Sequence, residues 1–181
     1  MSGLEPGDKA PEFNLKNANS NENLVYTSLD EIMGENGAII VFECNHCPYV
    51  VGSIERINSI ANLSLQNNIG FAGINSNDAI KYPDDSFEAM QKRVARGMPY
   101  FYLHDETQDV AKEWGAERTP EFYLLDSNKI VIYRGRMDDS PKNPMHATTT
   151  ELLDAINALI SNEKPLVNRT KSIGCSVKWK V

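Results

Sequence analysis

The chain has 181 residues, 41% of them hydrophobic and 24% charged: enough apolar material for one domain with its own core, and too much for a disordered segment. Its net charge of −7 argues against a partner held through nucleic-acid phosphates, and no stretch approaches the roughly 18 consecutive apolar residues of a membrane span. Residues 1–9 contain no apolar h-region and three cysteines are too few for a disulfide framework, so a reducing, cytoplasmic setting is expected, a mature form with its leader removed being the alternative.

Two short strands are predicted at 12–15 and 24–26, joined by the polar turn Asn17-Ala18-Asn19-Ser20-Asn21. Ser28-Leu29-Asp30-Glu31 opens a short helix with capping-box spacing, ended by Gly34 and Gly37. The apolar run Ala38-Ile39-Ile40-Val41-Phe42 predicts a buried strand over 38–43, followed by a helix over 48–67 and a second buried strand over 69–74. A crossover helix between two strands implies that they pair in parallel. Beyond Asn75-Ser76-Asn77-Asp78 a loop runs to Pro83-Asp84-Asp85-Ser86. A helix over 87–96 is closed by Gly97, 101–103 is a short strand candidate, and a helix at 110–114 stops at Gly115. Segments 122–125 and 130–133, split by Asp126-Ser127-Asn128-Lys129, predict a hairpin. A last amphipathic helix over 149–160 places Leu152, Leu153, Ile156, Leu159 and Ile160 on one face. From strand 38–43 onward the order reads β-α-β-α-β-β-α, behind an N-terminal β extension. The expected architecture is α/β, with a central mixed sheet flanked by helices.

Residues 1–163 are expected to form this domain and 164–181 a basic C-terminal tail. The tail holds Lys164, Arg169, Lys171, Lys178 and Lys180 and no acid, whereas the rest of the chain holds 13 basic and 25 acidic side chains. Opposite charge and the alternation of Ile173, Cys175, Val177 and Trp179 favour a tail docked on the domain over a solvated one.

The chemistry centres on Cys44-Asn45-His46-Cys47, between a buried strand and the opening of a helix. A helix N-terminus offers unpaired N–H groups and partial positive charge, which stabilise a thiolate on the first cysteine. Buried inert cysteines and half of a zinc site are the competing readings. A structural zinc site takes four protein ligands and the chain has no second CxxC, so neither metal nor cofactor is expected.

With these residues in view, the chain resembles the thioredoxin-like superfamily over most of 5–162. The opening Gly7-Asp8-Lys9-Ala10-Pro11-Glu12-Phe13-Asn14-Leu15 resembles the redoxin branch, which includes alkyl hydroperoxide reductases and thiol-specific antioxidant proteins. Cys44-Asn45-His46-Cys47-Pro48-Tyr49, Thr119-Pro120-Glu121-Phe122, Tyr133-Arg134-Gly135-Arg136 and the terminal Gly174-Cys175-Ser176-Val177-Lys178-Trp179-Lys180 resemble a peroxiredoxin-like group that bears a thioredoxin CxxC.

The resemblance implies a thioredoxin fold and a set of roles. Cys44 would be the attacking sulfur, and Cys47, one helical turn inward, would resolve the mixed disulfide. His46, protonated near Cys44, would favour its thiolate and place the reduction potential in the upper half of the span from roughly −270 to about −180 mV. Glu43 would work in the opposite direction. Pro120 would be cis and would face the CxxC, with Thr119 pairing to substrate backbone. Glu121 is a candidate proton acceptor near Cys47, since Ala38 stands where thioredoxins often carry a buried acid. Arg118 is a candidate for polar support. Cys175 is read from its own place and not from the resemblance: a third cysteine on a docked tail can attack Cys44 or receive the disulfide from the pair, since exchange needs only access and a thiolate; its bland alternative is a small buried hydrophobe beneath Trp179.

His104 and His146 are read as surface or hydrogen-bonded histidines, not ligands. Arg134, Arg136, Asp138 and Asp139 are read as a solvated loop, or, with Asp84 and Asp85, as a cation site. The expected activity is thiol-disulfide exchange. Its partners would be a disulfide-containing protein or small thiol and a thioredoxin- or glutathione-type reductant, with no nucleic acid and no membrane. A thiol peroxidase is the second reading. Peroxiredoxins, however, use a Pro-x-x-x-Thr-x-x-Cys loop, and the positions seven and three before Cys44 are Gly37 and Val41. A redox-sensing binding module, in which the pair only switches the tail, is the third.

Overall fold

The computed structural model describes residues 3–20 and 25–181. Its first strands are β1 (Asn14–Asn17) and β2 (Tyr26–Ser28), each two residues C-terminal to its predicted place. The shift has a local cause. Asn17, expected in the turn, extends β1 because its buried amide donates to the Thr27 hydroxyl and its carbonyl oxygen accepts the Asn19 N–H. Asn21 of the predicted turn and Leu24 of the second predicted strand lie outside the described residues.

Helix α1 (Leu29–Ile32) starts at the expected capping box. The Ser28 hydroxyl accepts the Glu31 N–H at 3.2 Å, and the Glu31 carboxylate accepts the Ser28 N–H at 3.1 Å. Ser28→Ala removes one arm at an exposed cap, and a loss of about 1 kcal/mol is expected in urea unfolding.

Strand β3 (Gly37–Phe42) is buried along its whole length. Ala38, Ile40 and Phe42 point to one face, against Phe13, Leu29, Trp114 and Tyr123; Ile39 and Val41 point to the other, against Ile57, Phe122, Leu152 and Ile156. A strand apolar on both faces must be sandwiched between layers, and this one sits inside a seven-stranded sheet.

The predicted helix over 48–67 is two helices, α2 (Pro48–Val51) and α3 (Ile54–Gln66). The break is built by the segment at 138–142. A Cβ on Gly52 would lie 2.7 Å from the Lys142 carbonyl oxygen. Arg56 clamps that segment by donating to the carbonyls of Ser140 and Pro141 and pairing with Asp138 at 2.6 Å.

Strand β4 (Ile69–Asn75) runs parallel to β3, as the crossover implies. Then come α4 (Phe87–Val94), β5 (Phe101–His104), α5 (Asp109–Trp114), β6 (Arg118–Thr119), the hairpin β7 (Glu121–Leu125) and β8 (Val131–Gly135), α6 (Glu151–Ile160) and β9 (Cys175–Ser176). The large sheet has the order β2-β1-β5-β4-β3-β7-β8. The β5–α5 unit is absent from the expected β-α-β-α-β-β-α string. It inserts β5 parallel to β4 and antiparallel to β1, which joins the N-terminal extension to the core. Helix α6 buries Leu152, Ala155 and Ile156, while Ile160, expected on that face, is exposed.

Residues beyond α6 return to the sheet. Thr170 donates its N–H to the Arg134 carbonyl, Arg134 donates its own to Asn168, and β9 pairs antiparallel with β6. Val177 is buried, whereas Trp179 remains 38% exposed. Among the described residues no helix is long and apolar enough to cross a membrane.

Candidate active site

The turn from β3 to α2 carries both cysteines. Cys47 is the N-cap of α2 and Pro48 its first helical residue, so Cys47 stands at the helix start and not one turn inward. Cys44 and Cys47 are free, each 1% exposed, and 4.3 Å apart. Facing them is Thr119-Pro120, whose peptide bond is cis. The Thr119 hydroxyl lies 3.5 Å from the Cys44 sulfur, and the Cys47 thiol donates to the Thr119 carbonyl at 3.4 Å.

His46 is held by a residue that the sequence reading did not single out for this site. Its Nδ1 lies 2.7 Å from the carboxylate of Asp85, which is fully buried. Asp85 also accepts the Asn45 backbone N–H at 2.7 Å and the side-chain amides of Asn75 and Asn77 at 3.1 and 2.9 Å. One carboxylate thus fixes the CxxC loop and the imidazole together. The donor atoms of Cys44, His46 and Asp85 lie within 4.8 Å of one another, a sulfur, an imidazole and an orienting acid. Both Asp85 oxygens already accept N–H groups, so the cluster is organised by hydrogen bonding.

A second buried network lies beneath. Arg93 of α4 donates to the Cys44 carbonyl at 3.2 Å and pairs with Glu43 at 3.3 Å. The Tyr100 hydroxyl donates to Glu43 at 2.7 Å, and that of Tyr102 to the Asn45 side chain at 2.7 Å. Burial pushes both phenols well above their usual range. Glu43 was expected to raise the Cys44 thiol, but its charge is matched by Arg93. The acid that acts on Cys44 is Asp85.

The two thiols titrate as a unit. The facing Cys47 thiol, burial and the Asp85 charge push Cys44 far above the ordinary thiol range. The facing Cys44 thiol pulls Cys47 below that range against the effect of burial, helped by the Cys175 thiol and by the backbone N–H groups of Cys175 and Tyr49. The pair therefore loses its first proton early and its second late. In this arrangement the donors converge on Cys47, where the sequence reading placed the thiolate on Cys44.

The tail completes the site. Cys175 packs against the cluster of Cys44, Cys47 and Val50. It is the strand partner of Thr119, and Ser176 that of Arg118. Gly174 makes this approach possible, because a Cβ there would lie 2.0 Å from the Thr119 carbonyl oxygen. Arg118 donates to the Gly174 carbonyl at 3.0 Å. Glu121 is held elsewhere: it pairs with Arg134 at 3.3 Å and accepts the Glu117 N–H.

The remaining candidates do not converge. Arg134 is buried, bonded to Glu121 and to the carbonyls of Leu4 and Gly115; Arg136 pairs with Glu151, and Asp139 binds Thr148. The expected solvated loop is therefore a set of separate contacts, and among the described residues no cluster of metal-binding groups joins these side chains to Asp84 and Asp85. The Nε2 of His104 is buried without a hydrogen-bond partner among the described residues, and burial lowers its pKa. Beside Asn45 and His46 opens a cavity of about 530 Å³, with Lys92, Arg93 and Arg96 in its wall.

The sequence model of the redoxin family matches residues 5–153. No curated protein matches the chain. An uncharacterized conserved protein from Geobacillus kaustophilus is 38% identical, with 98% of this chain and 93% of that one covered at a TM-score of 0.90. Two solved structures share the fold at lower identity. Peroxidoxin BcpB from Mycobacterium tuberculosis is 15% identical over 88% of this chain and 97% of its own, with a TM-score of 0.65. A secreted Mycobacterium tuberculosis disulfide oxidoreductase is 14% identical over 83% and 95%, with a TM-score of 0.57.

Proposed function

This chain belongs to the redoxin family, a group of thioredoxin-like oxidoreductases, and from that premise we propose that it is a thiol-disulfide oxidoreductase working through Cys44 and Cys47. The observation that carries the reading is the pair itself: two free sulfurs 4.3 Å apart at a strand-to-helix turn, facing Thr119-Pro120. A short shift of both sulfurs closes a disulfide between them.

Cys44 is the nucleophile in this mechanism. Moving the shared proton to Cys47 leaves the charge on Cys44, where the Thr119 hydroxyl donates to it and the Asp85-oriented His46 stands close by. The Cys44 thiolate attacks one sulfur of a substrate disulfide, forms a mixed disulfide and expels the first thiolate. Cys47 then attacks the Cys44 sulfur, forms Cys44–Cys47 and expels the second. A thioredoxin-type dithiol or glutathione returns the pair to the reduced state, and the reverse sequence oxidises a client. The cavity beside His46, walled by Asp84 and Glu88 as well as by Lys92 and Arg96, offers groups of both signs to a small disulfide.

One observation favours a peroxidase as the second reading. The Thr119 hydroxyl supplies at 3.5 Å the donor that Val41 lacks, and Arg93 holds the Cys44 backbone. Stopped-flow reaction of the reduced protein with oxidised glutathione and with hydrogen peroxide, followed by mass spectrometry, separates the two. Exchange predicts rapid oxidation of the protein by the disulfide, with two glutathione thiols released and one intramolecular disulfide gained, and a peroxide rate no better than that of a free thiol. A fast, saturable peroxide reaction that passes through a Cys44 sulfenic acid would replace exchange with peroxidase.

A further inference from the structure

The backbone edge of Thr119, where a client strand is expected to pair, is already taken by the protein's own tail. Cys175 is the residue of that strand registered with Thr119, and it packs on the cysteine cluster. Several contacts fix it there. Arg118 holds the Gly174 carbonyl, the Val177 N–H donates to the Glu117 carbonyl at 3.0 Å, and the Lys178 carbonyl accepts the Asp78 N–H and the Gln108 amide at 2.8 and 2.9 Å. A solvated tail would make none of them. The Cys175 thiol and its backbone N–H both act on Cys47.

We propose that Cys175 is a built-in client: in the oxidised protein its thiolate attacks the Cys47 sulfur of the Cys44–Cys47 disulfide, forms Cys47–Cys175 and releases Cys44 as a thiolate. The step rests on the exchange reading above, which supplies the first disulfide. One S–S bond forms and one breaks, and the proton lost by Cys175 goes to solvent or to the departing Cys44. No further oxidant is consumed. The order of sulfurs suits the transfer, because Cys47 faces both partners. The leaving Cys44 sulfur has the Thr119 hydroxyl as donor. Burial and the facing Cys47 push the Cys175 thiol up to about 11, with Lys178 and Lys142 pulling the other way, so the attack speeds up toward alkaline pH. The product fastens β9 covalently across the Thr119 edge, so oxidation locks polypeptide clients out and returns Cys44 to the thiol form.

The test adds one equivalent of oxidised glutathione to the reduced full-length protein, blocks free thiols with N-ethylmaleimide in acid, and maps the links by peptide fragmentation. The expected product carries Cys47–Cys175 with the maleimide on Cys44. With Cys175→Ser the maleimide is absent from both Cys44 and Cys47. If Cys44–Cys47 forms and Cys175 carries the label, the relay is overturned and the exchange reading stands. If glutathione is reduced by neither link, the exchange reading itself fails and the relay with it.

Discussion

Replacing Cys44 with serine is expected to lower disulfide turnover by roughly a thousandfold or more, because a neutral hydroxyl takes the place of the nucleophile. Cys47→Ser is expected to fail differently. The first attack still occurs, nothing resolves it, and the protein accumulates as a mixed disulfide visible by mass. The same two variants test the ionisation of the pair. In the wild type the facing thiol holds Cys47 below the ordinary range, so alkylation by iodoacetamide should reach its first plateau on the acid side of a free cysteine. Removing Cys44 takes away the largest influence lowering Cys47. The midpoint should then move up toward the usual thiol range, and alkylation at neutral pH should slow. Turnover by Cys44→Ser equal to wild type would end the mechanism. An unmoved alkylation midpoint would end the account of the ionisation.

Arg93→Met should cost about 3–5 kcal/mol in guanidinium unfolding, the size expected when one member of a buried ion pair is removed and the other is left uncompensated. Glu43 is fully buried, and without Arg93 the Tyr100 hydroxyl is its one remaining side-chain donor among the described residues. The double variant Glu43→Gln with Arg93→Met should recover most of that loss, since no charge is then stranded. Equal stability in the single and double variants would mean that Arg93 acts through its packing on Tyr102, over whose ring it lies at 5.0 Å, and not through its charge. Arg93 also anchors the Cys44 carbonyl, so the single variant should lose exchange activity beyond what its stability explains.

The parts of this molecule that were legible in the sequence are those written in short spacings. Ser28 and Glu31 announce a helix start through a contact three residues long. The run 38–42 announces a double-sided strand through composition alone. Cys44, Cys47 and the Thr119-Pro120 pair carry the family resemblance. Asp85 and Arg93 had no such signal. They lie 40 and 49 residues from the turn they support, and Pro83-Asp84-Asp85-Ser86 reads as an ordinary exposed loop. Asp85 is buried only because Asn45, Asn75, Asn77 and His46 all present donors to it, an arrangement that no local pattern encodes. The break between α2 and α3 was missed for the same reason. Gly52 and Ser53 are tolerated inside a helix, and the segment that forces them apart comes some ninety residues later. Cys175 was visible as an odd cysteine on an alternating tail, but its target was set by register with Thr119.

The return of the chain after α6 has a second effect, on solubility. β8 closes the large sheet, and a terminal strand exposes a row of unpaired N–H and C=O groups to any other extended chain. Residues 168–170 bond to both backbone groups of Arg134 on that rim, and β9 does the same service for the two-residue strand β6. At the opposite rim β2 is only three residues long. Each border of the β structure is therefore either occupied by the protein's own terminus or too short to template another molecule. The segment that places a thiol beside the reactive pair also covers strand edges that would otherwise be open to edge-to-edge pairing.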